Sequence, residues 1–252
     1  MDSIWISLII FACAFGGALS GLFLRTVLPG HHLSDDARDA VKLGAGLVAT
    51  LTALVLGLLI SSSKGSFDAT YTMITQSGAK ILQMDRVLAN YGPEVTEIRG
   101  LLKQFLRDRV TKVWPEAHVF PGAGASHKSV EMEEIQMSLR KLVPQNDLQR
   151  SSQTKALQIG DDLSELRWLL FEQLQTSLPP LFLGVLLFWS TILFACFGLL
   201  APRNGTVLVV FLVCAISVAG AIFLILEMEK PLSGAMKISS APMVKTLERI
   251  GK

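Results

Sequence analysis

Four histidines, three cysteines and a run of three serines are the first side chains to weigh for chemistry in this chain of 252 residues. His31 and His32 sit in PGHHLSDDARD beside Asp35, Asp36 and Asp39, a mixture of imidazoles and carboxylates that suits a divalent metal by ligand type. The simpler reading is that Ser34 or Asp35 caps a helix and leaves acids near its positive end, so no metal and no cofactor is expected. His118 and His127 have no paired acid at a recognisable spacing. Ser61, Ser62 and Ser63 resemble a nucleophile cluster only by composition, because serines at the end of an apolar run are helix-end polar groups. Cys13, Cys196 and Cys214 all fall inside apolar runs and match neither a disulfide framework nor a zinc pattern. With no Gly-rich phosphate loop, G-x-S-x-G or H-E-x-x-H, an enzyme is not expected.

The elements that hold these residues are dictated by hydropathy. Hydrophobic residues make up 50% of the chain and charged residues 17%, and the mean hydropathy is +0.47, too apolar for an ordinary soluble domain. A membrane helix needs about 20 apolar residues, since it rises about 1.5 Å per residue across a core of about 30 Å. Residues 4–24, 43–63, 178–200 and 206–226 satisfy that requirement, and APRNG between the last two is a tight reversal that makes them an antiparallel hairpin. The first run could be taken for a signal peptide, but it is long and begins MDSIW, acidic rather than basic, so a retained helix is expected.

Four spans put both termini and the middle segment on one side of the membrane. Lys64, Lys80, Arg167, Lys230, Lys237 and Lys245 lie near the membrane on that side, against Arg25, Arg38, Lys42 and Arg203 on the other, a modest bias that places the termini and the middle segment in the cytoplasm. The division predicted is 1–64 for the first two spans, 65–177 for a cytoplasmic helical region, 178–226 for the hairpin and 227–252 for a cytoplasmic tail. A bacterial inner membrane is the simplest location.

From Lys64 to Glu172 there are 14 basic and 14 acidic residues, a balance that argues against a nucleic-acid partner. Apolar residues recur at helical spacing from Ile74 through Ile81 and Leu88, then from Ile98 through Leu102 and Phe105, with a break at NYGPE. Asp85, Tyr91 and Arg99 are candidates to tie these helices together. After a loop at 121–129, a short helix over 130–143 ends at Pro144 and a longer one covers 146–177. No run alternates with period two, so the fold class is all-α: an integral membrane protein with four transmembrane helices and a helical cytoplasmic region.

The faces of the spans carry the functional signal. Gly17 and Gly21 with Cys13 on the first span, and Ala49, Ala53 and Gly57 with Gly46 on the second, are small-residue stripes suited to close helix packing. Thr50, Leu54 and Leu58 form a neighbouring stripe four residues apart. No span holds Asp, Glu, Lys, Arg or His, which argues against proton-coupled carriers and pumps. A pore lined by apolar and hydroxyl side chains can still gate by wetting and dewetting, and a chain of this size would need a homo-oligomer to enclose one. Glu227, Glu229 and Lys230 after the last span are either an ion vestibule or the charged end of a membrane helix stopped by Pro231.

The four-span plan with its long helical insert, TALVLGLLISSS in the second span, DRVLANYGPEVTEIR at 85–99 and EMEKPLSGAMKISSAP at 227–242 together resemble the bestrophin-like membrane proteins, and more distantly the bestrophin channels. Val55, Leu56 and Gly57 match a V-L-G of those channels, and Pro231, Leu232 and Gly234 loosely match their P-F-G. That resemblance implies a homopentameric channel for small inorganic ions, chloride and other anions being the commoner species, with Thr50, Leu54 and Leu58 at the neck. The chain departs from the channels where Leu54 and Leu58 replace neck aromatics, in lacking the span's proline, and in lacking the acidic run that clasps calcium. The alternative is a membrane-anchored scaffold or regulator without conduction, and a membrane enzyme or carrier is the least supported reading. Lipid is a partner under each.

Overall fold

The computed structural model describes residues 3–29, 34–115, 130–175 and 180–251. Eight α-helices follow in order: α1 (Ser3–Val27), α2 (Asp35–Ala89), α3 (Thr96–Val113), α4 (Met132–Arg140), α5 (Asp147–Gln175), α6 (Pro180–Leu200), α7 (Gly205–Met228) and α8 (Ala241–Arg249). There is no strand among the described residues, as the sequence predicts. Among the described residues four helices are long and apolar enough to cross a membrane, and the protein is an integral membrane protein.

The chain forms two compact units. The first comprises Met1–Phe67 and Ser177–Lys230 and contains all four spans. Its core is a cluster of Ala14, Ala18, Phe194, Phe211 and Ala215, in which the rings of Phe194 and Phe211 meet edge-on at 6.5 Å. Gly17, Gly21 and Gly198 set the closeness of α1 and α6: a Cβ built on Gly17 would lie 2.6 Å from the Thr191 carbonyl oxygen, and Cβ atoms on Gly21 and Gly198 would strike backbone oxygens of Ala195 and Ala18. Without side chains at these points the backbones approach until dispersion contacts form along the whole seam. Outside the apolar stretch, Arg25 donates to the Ala201 carbonyl and Arg203 to the Leu22 carbonyl at 3.1 Å, while the Asn204 side chain caps α7 by accepting from the Val207 N–H at 3.1 Å.

The second unit comprises Asp68–Thr176 and Pro231–Lys252. Ile81, Met84 and Leu88 of α2, Leu102 and Leu106 of α3, Ile135 and Leu139 of α4, Ile159 of α5 and Leu247 of α8 supply its buried side chains. A Cβ on Gly78 would meet Thr246 Oγ1 at 3.1 Å, so this glycine seats α8 against α2. The helical spacing read from Ile74 to Phe105 corresponds to these core positions. Residues 241–249, read from sequence as part of a tail, are a helix with Met243, Thr246 and Leu247 buried.

Two element boundaries differ from the sequence reading. α2 is one helix of 55 residues, continuing through SSSKGS without a break. It contains no proline, and a glycine at 65 costs a helix interior only about 1 kcal/mol, less than propagation through a packed helix recovers. The helix expected over 130–143 is shorter, Met132–Arg140, because the Val130 N–H is bonded to the Asp108 carboxylate at 3.3 Å and Val143 precedes a proline, which disfavours helical backbone. The NYGPE break stands where expected: Gly92 has φ 134°, open to glycine, and Pro93 starts a single 3-10 turn.

Candidate functional site

The second span is built differently from the other three. Only 11% of its apolar window is buried within the protein, against 28% for each of the others. Ala45, Leu59 and Ser63 are buried, and Val55 and Leu56 pack with Leu59 against Leu186 and Ile225. At 100° per residue these positions share one side of α2. Thr50, Leu54 and Leu58 lie on the opposite side, with Leu54 60% and Leu58 63% exposed. Leu43, Leu47 and Leu51 extend that apolar face toward the start of the span.

The Thr50 hydroxyl donates to the Gly46 carbonyl at 2.9 Å and the Thr52 hydroxyl to Val48 at 2.7 Å. This back-bonding lets a hydroxyl occupy an apolar span without an unsatisfied donor, and its lone pairs can still accept. Ser61 and Ser62 are exposed farther along the helix.

The small residues of α2 flank this face. Ala53 is exposed, Ala49 is half-buried, and a Cβ on Gly46 or Gly57 would meet nothing within 4 Å. The same spacing on α1 is occupied differently: Gly17 and Gly21 are buried against α6. Of the two stripes read from the sequence, one meets a helix of the same chain and the other faces outward.

Where the apolar stretch of α2 ends, midway along the helix, the Ser63 hydroxyl, fully buried, donates to a Glu229 carboxylate oxygen at 3.2 Å. That bond ties the second span to the end of the fourth. Glu227 is buried and Lys230 half-buried, so the three proposed vestibule residues stand at one helix end, in the first unit, beside the serine run. The pairing of Ser63 with Glu229 was not evident from sequence, where the two are 166 residues apart. Pro231 accepts at its carbonyl from the Ile238 N–H at 2.8 Å, which closes a loop between these two residues.

In the second unit Asp85 and Arg99 meet as a bidentate pair, with Nε to Oδ1 at 2.8 Å and a terminal nitrogen to Oδ2 at 3.0 Å. The Gly251 N–H also donates to Asp85, at 3.1 Å. Burial by itself raises the Asp85 carboxyl, but the bonds from Arg99 and Gly251 and the charges of Arg99 and Arg86 outweigh it, so its pKa lies below the ordinary 3.8. Tyr91 takes part through its backbone, accepting from the Gln149 amide at 3.1 Å.

Ser34 sits as the sequence suggests, its hydroxyl accepting from the Ala37 N–H at 3.4 Å at the head of α2. Asp35 pairs with Arg38 at 3.6 Å and Asp39 with Lys42 at 2.8 Å. His31, His32, His118 and His127 lie outside the described residues. The described residues contain no group of three or more metal-ligating side chains. Cys13 and Cys196 are half-buried and Cys214 exposed, all as free thiols.

A family profile described as "Bestrophin-like domain" matches residues 12–243. No curated protein and no solved structure matches the chain.

Proposed function

Because the chain belongs to the bestrophin-like family, we propose that it is the subunit of a homo-oligomeric channel for small inorganic ions, with α2 as the pore wall. The observation that carries this reading is the outer face of α2, where Thr50, Leu54 and Leu58 stand opposite the side buried in the protomer. A helix with one side packed on its own bundle and the other open is placed to face a symmetry axis. The flank of Gly46, Ala53 and Gly57, with space for a Cβ at both glycines, suits the close approach of a neighbouring α2.

In this arrangement Leu54 and Leu58 form an apolar neck that opens by wetting, while the Thr50 hydroxyl and the exposed Ser61 and Ser62 offer hydrogen bonds to ions and water at either end. Glu227, Glu229 and Lys230 mark the vestibule next to the serine end. The family resemblance favours five subunits and anions, the Lys and Arg bias favours the termini and second unit on the cytoplasmic side, and a bacterial inner membrane is the simplest location. Conduction, not catalysis, is the assigned activity.

The test is ion efflux from liposomes carrying the purified full chain. Replacing Leu54→Ala together with Leu58→Ala widens and wets the neck, so basal efflux should rise several-fold while the oligomer keeps its mass. Loss of assembly in that variant, or absence of flux through the native protein, would support the scaffold reading instead.

A further inference from the structure

The second unit holds an apolar cavity of about 140 Å³ that none of the pore residues touches. Phe105, Leu106, Trp114, Met132 and Leu163, all buried, are among the side chains that line it, and Arg109 and Arg167 also stand in its wall. Packed interiors leave few voids larger than a water molecule. A dry apolar cavity of about 150 Å³ is large enough to bind benzene, so this one accommodates an alkyl or aryl group of about six carbons. Trp114 is fixed in the wall by its indole N–H, which donates to the Ile238 carbonyl at 2.7 Å.

The polar rim defines the other end of a ligand. Arg109 and Arg167 both donate to one oxygen of Glu131, at 3.0 and 3.2 Å, and Arg167 lies 3.8 Å from Glu133. Their side chains are 33% and 46% exposed, so solvent reaches the rim. Two guanidiniums converging on a carboxylate oxygen at the edge of an apolar chamber form a receptor for a carboxylate attached to a hydrocarbon body. Phe105 lies under Arg109 at 5.3 Å and helps hold its guanidinium in place.

We propose that this cavity binds a single-chain carboxylate of medium length, its hydrocarbon seated against Trp114, Met132 and Leu163 and its head exchanging with Glu131 on Arg109 and Arg167. Glu131 is then an internal competitor that keeps the two arginines paired when the site is empty. The ligand is a soluble amphiphile, since the volume holds one short chain and not a phospholipid.

The experiment uses the full chain in nanodiscs of a neutral phospholipid, with a diazirine-bearing octanoate as probe and peptide mass spectrometry to map the labelled residues. Labelling should saturate on Trp114, Met132 or Met243 and be competed by octanoate but not by octanol at the same concentration. Arg167→Gln, at an exposed rim position, should lower labelling at least tenfold, and Glu131→Gln should raise it several-fold. Ser77→Phe, which puts a ring into the cavity from α2, should abolish labelling while circular dichroism stays native. Equal competition by octanol, labelling confined to the spans, or labelling that Ser77→Phe and Glu131→Gln leave unchanged would each overturn the proposal. None of these readouts involves ion flux, so the outcome is independent of the channel reading.

Discussion

Asp85 is only 1% exposed, and its charge is retained there because Arg99 meets both of its oxygens and the Gly251 N–H adds a third donor. Hydrogen bonds to a charged group are worth about 1.5–3 kcal/mol, so Asp85→Asn should destabilise the second unit by about 2 kcal/mol at neutral pH. The pH dependence follows from the direction of the shift. A carboxyl whose folded-state pKa is below its unfolded value binds fewer protons when folded, so its contribution is complete above the ordinary value of 3.8 and is lost as pH falls from there through the depressed folded value. Urea unfolding followed by Trp fluorescence should therefore show the gap between native protein and Asp85→Asn closing as the pH is lowered below about 4, the ordinary carboxylate range. A gap that stayed constant would mean that the pair does not titrate as the geometry requires. The two partners were legible as candidates in DRVLANYGPEVTEIR because they are charged residues on helical stripes; the Gly251 donor was not, because chain spacing says nothing about where a distant terminus docks.

Small residues on α1 and α2 show what a stripe determines and what it leaves open. The spacing of Gly17 and Gly21 and that of Ala49, Ala53 and Gly57 both identify a face on which a backbone can come close. Neither identifies the neighbour: Gly21 lies against Ala195 of α6, whereas a Cβ on Gly57 would meet nothing. Gly198, the reciprocal contact on α6, stands three positions from Ala195 in FACFGLL, the spacing of Gly46 and Ala49, so the same small-residue rule could have found it. Substitution separates the two faces. Gly21→Leu forces α1 from α6 and should cost about 1–3 kcal/mol or more, seen as loss of the monodisperse full-chain protein in detergent or a lower melting temperature. Gly57→Leu should leave the protomer's melting temperature within a degree or two, since ΔΔG is near zero where there is space, but should weaken assembly if that flank meets another α2. Native mass spectrometry reads the second effect directly, and an unchanged oligomer in Gly57→Leu would move the subunit contact elsewhere.

At the scale of the molecule, run length and charge placement were enough to find four spans, because the bilayer imposes a length and a polarity that few other environments do. The second unit was less legible, since it is assembled from two separated stretches, Asp68–Thr176 and Pro231–Lys252, and helix α8 is only nine residues long. Its apolar face, Met243, Thr246 and Leu247, has meaning only beside Gly78 and α3, so removing residues 241–252 should expose that core and make the second unit sensitive to protease. The outer face of the second span has the same character one level higher. A protomer with Leu43, Leu47, Leu51, Leu54 and Leu58 exposed along one span has an apolar strip that either lipid or other subunits must cover. Lipid coverage and axial assembly differ in one measurable respect. Cysteine introduced at Leu54 reacts with a small water-soluble thiol reagent if the strip borders a wetted pore, and faster in the Leu58→Ala background, where the neck is wider. Cys13, Cys196 and Cys214 must first be replaced by serine or alanine to remove background thiols. Labelling of Leu54→Cys that is accelerated several-fold by Leu58→Ala, in a protein whose native mass is a multiple of the 27.4 kDa chain, is the result expected of an axis lined by α2. A cysteine at that position that remains unreactive in both backgrounds would place the strip against lipid or in a dry interface, and the second span would be an anchor after all.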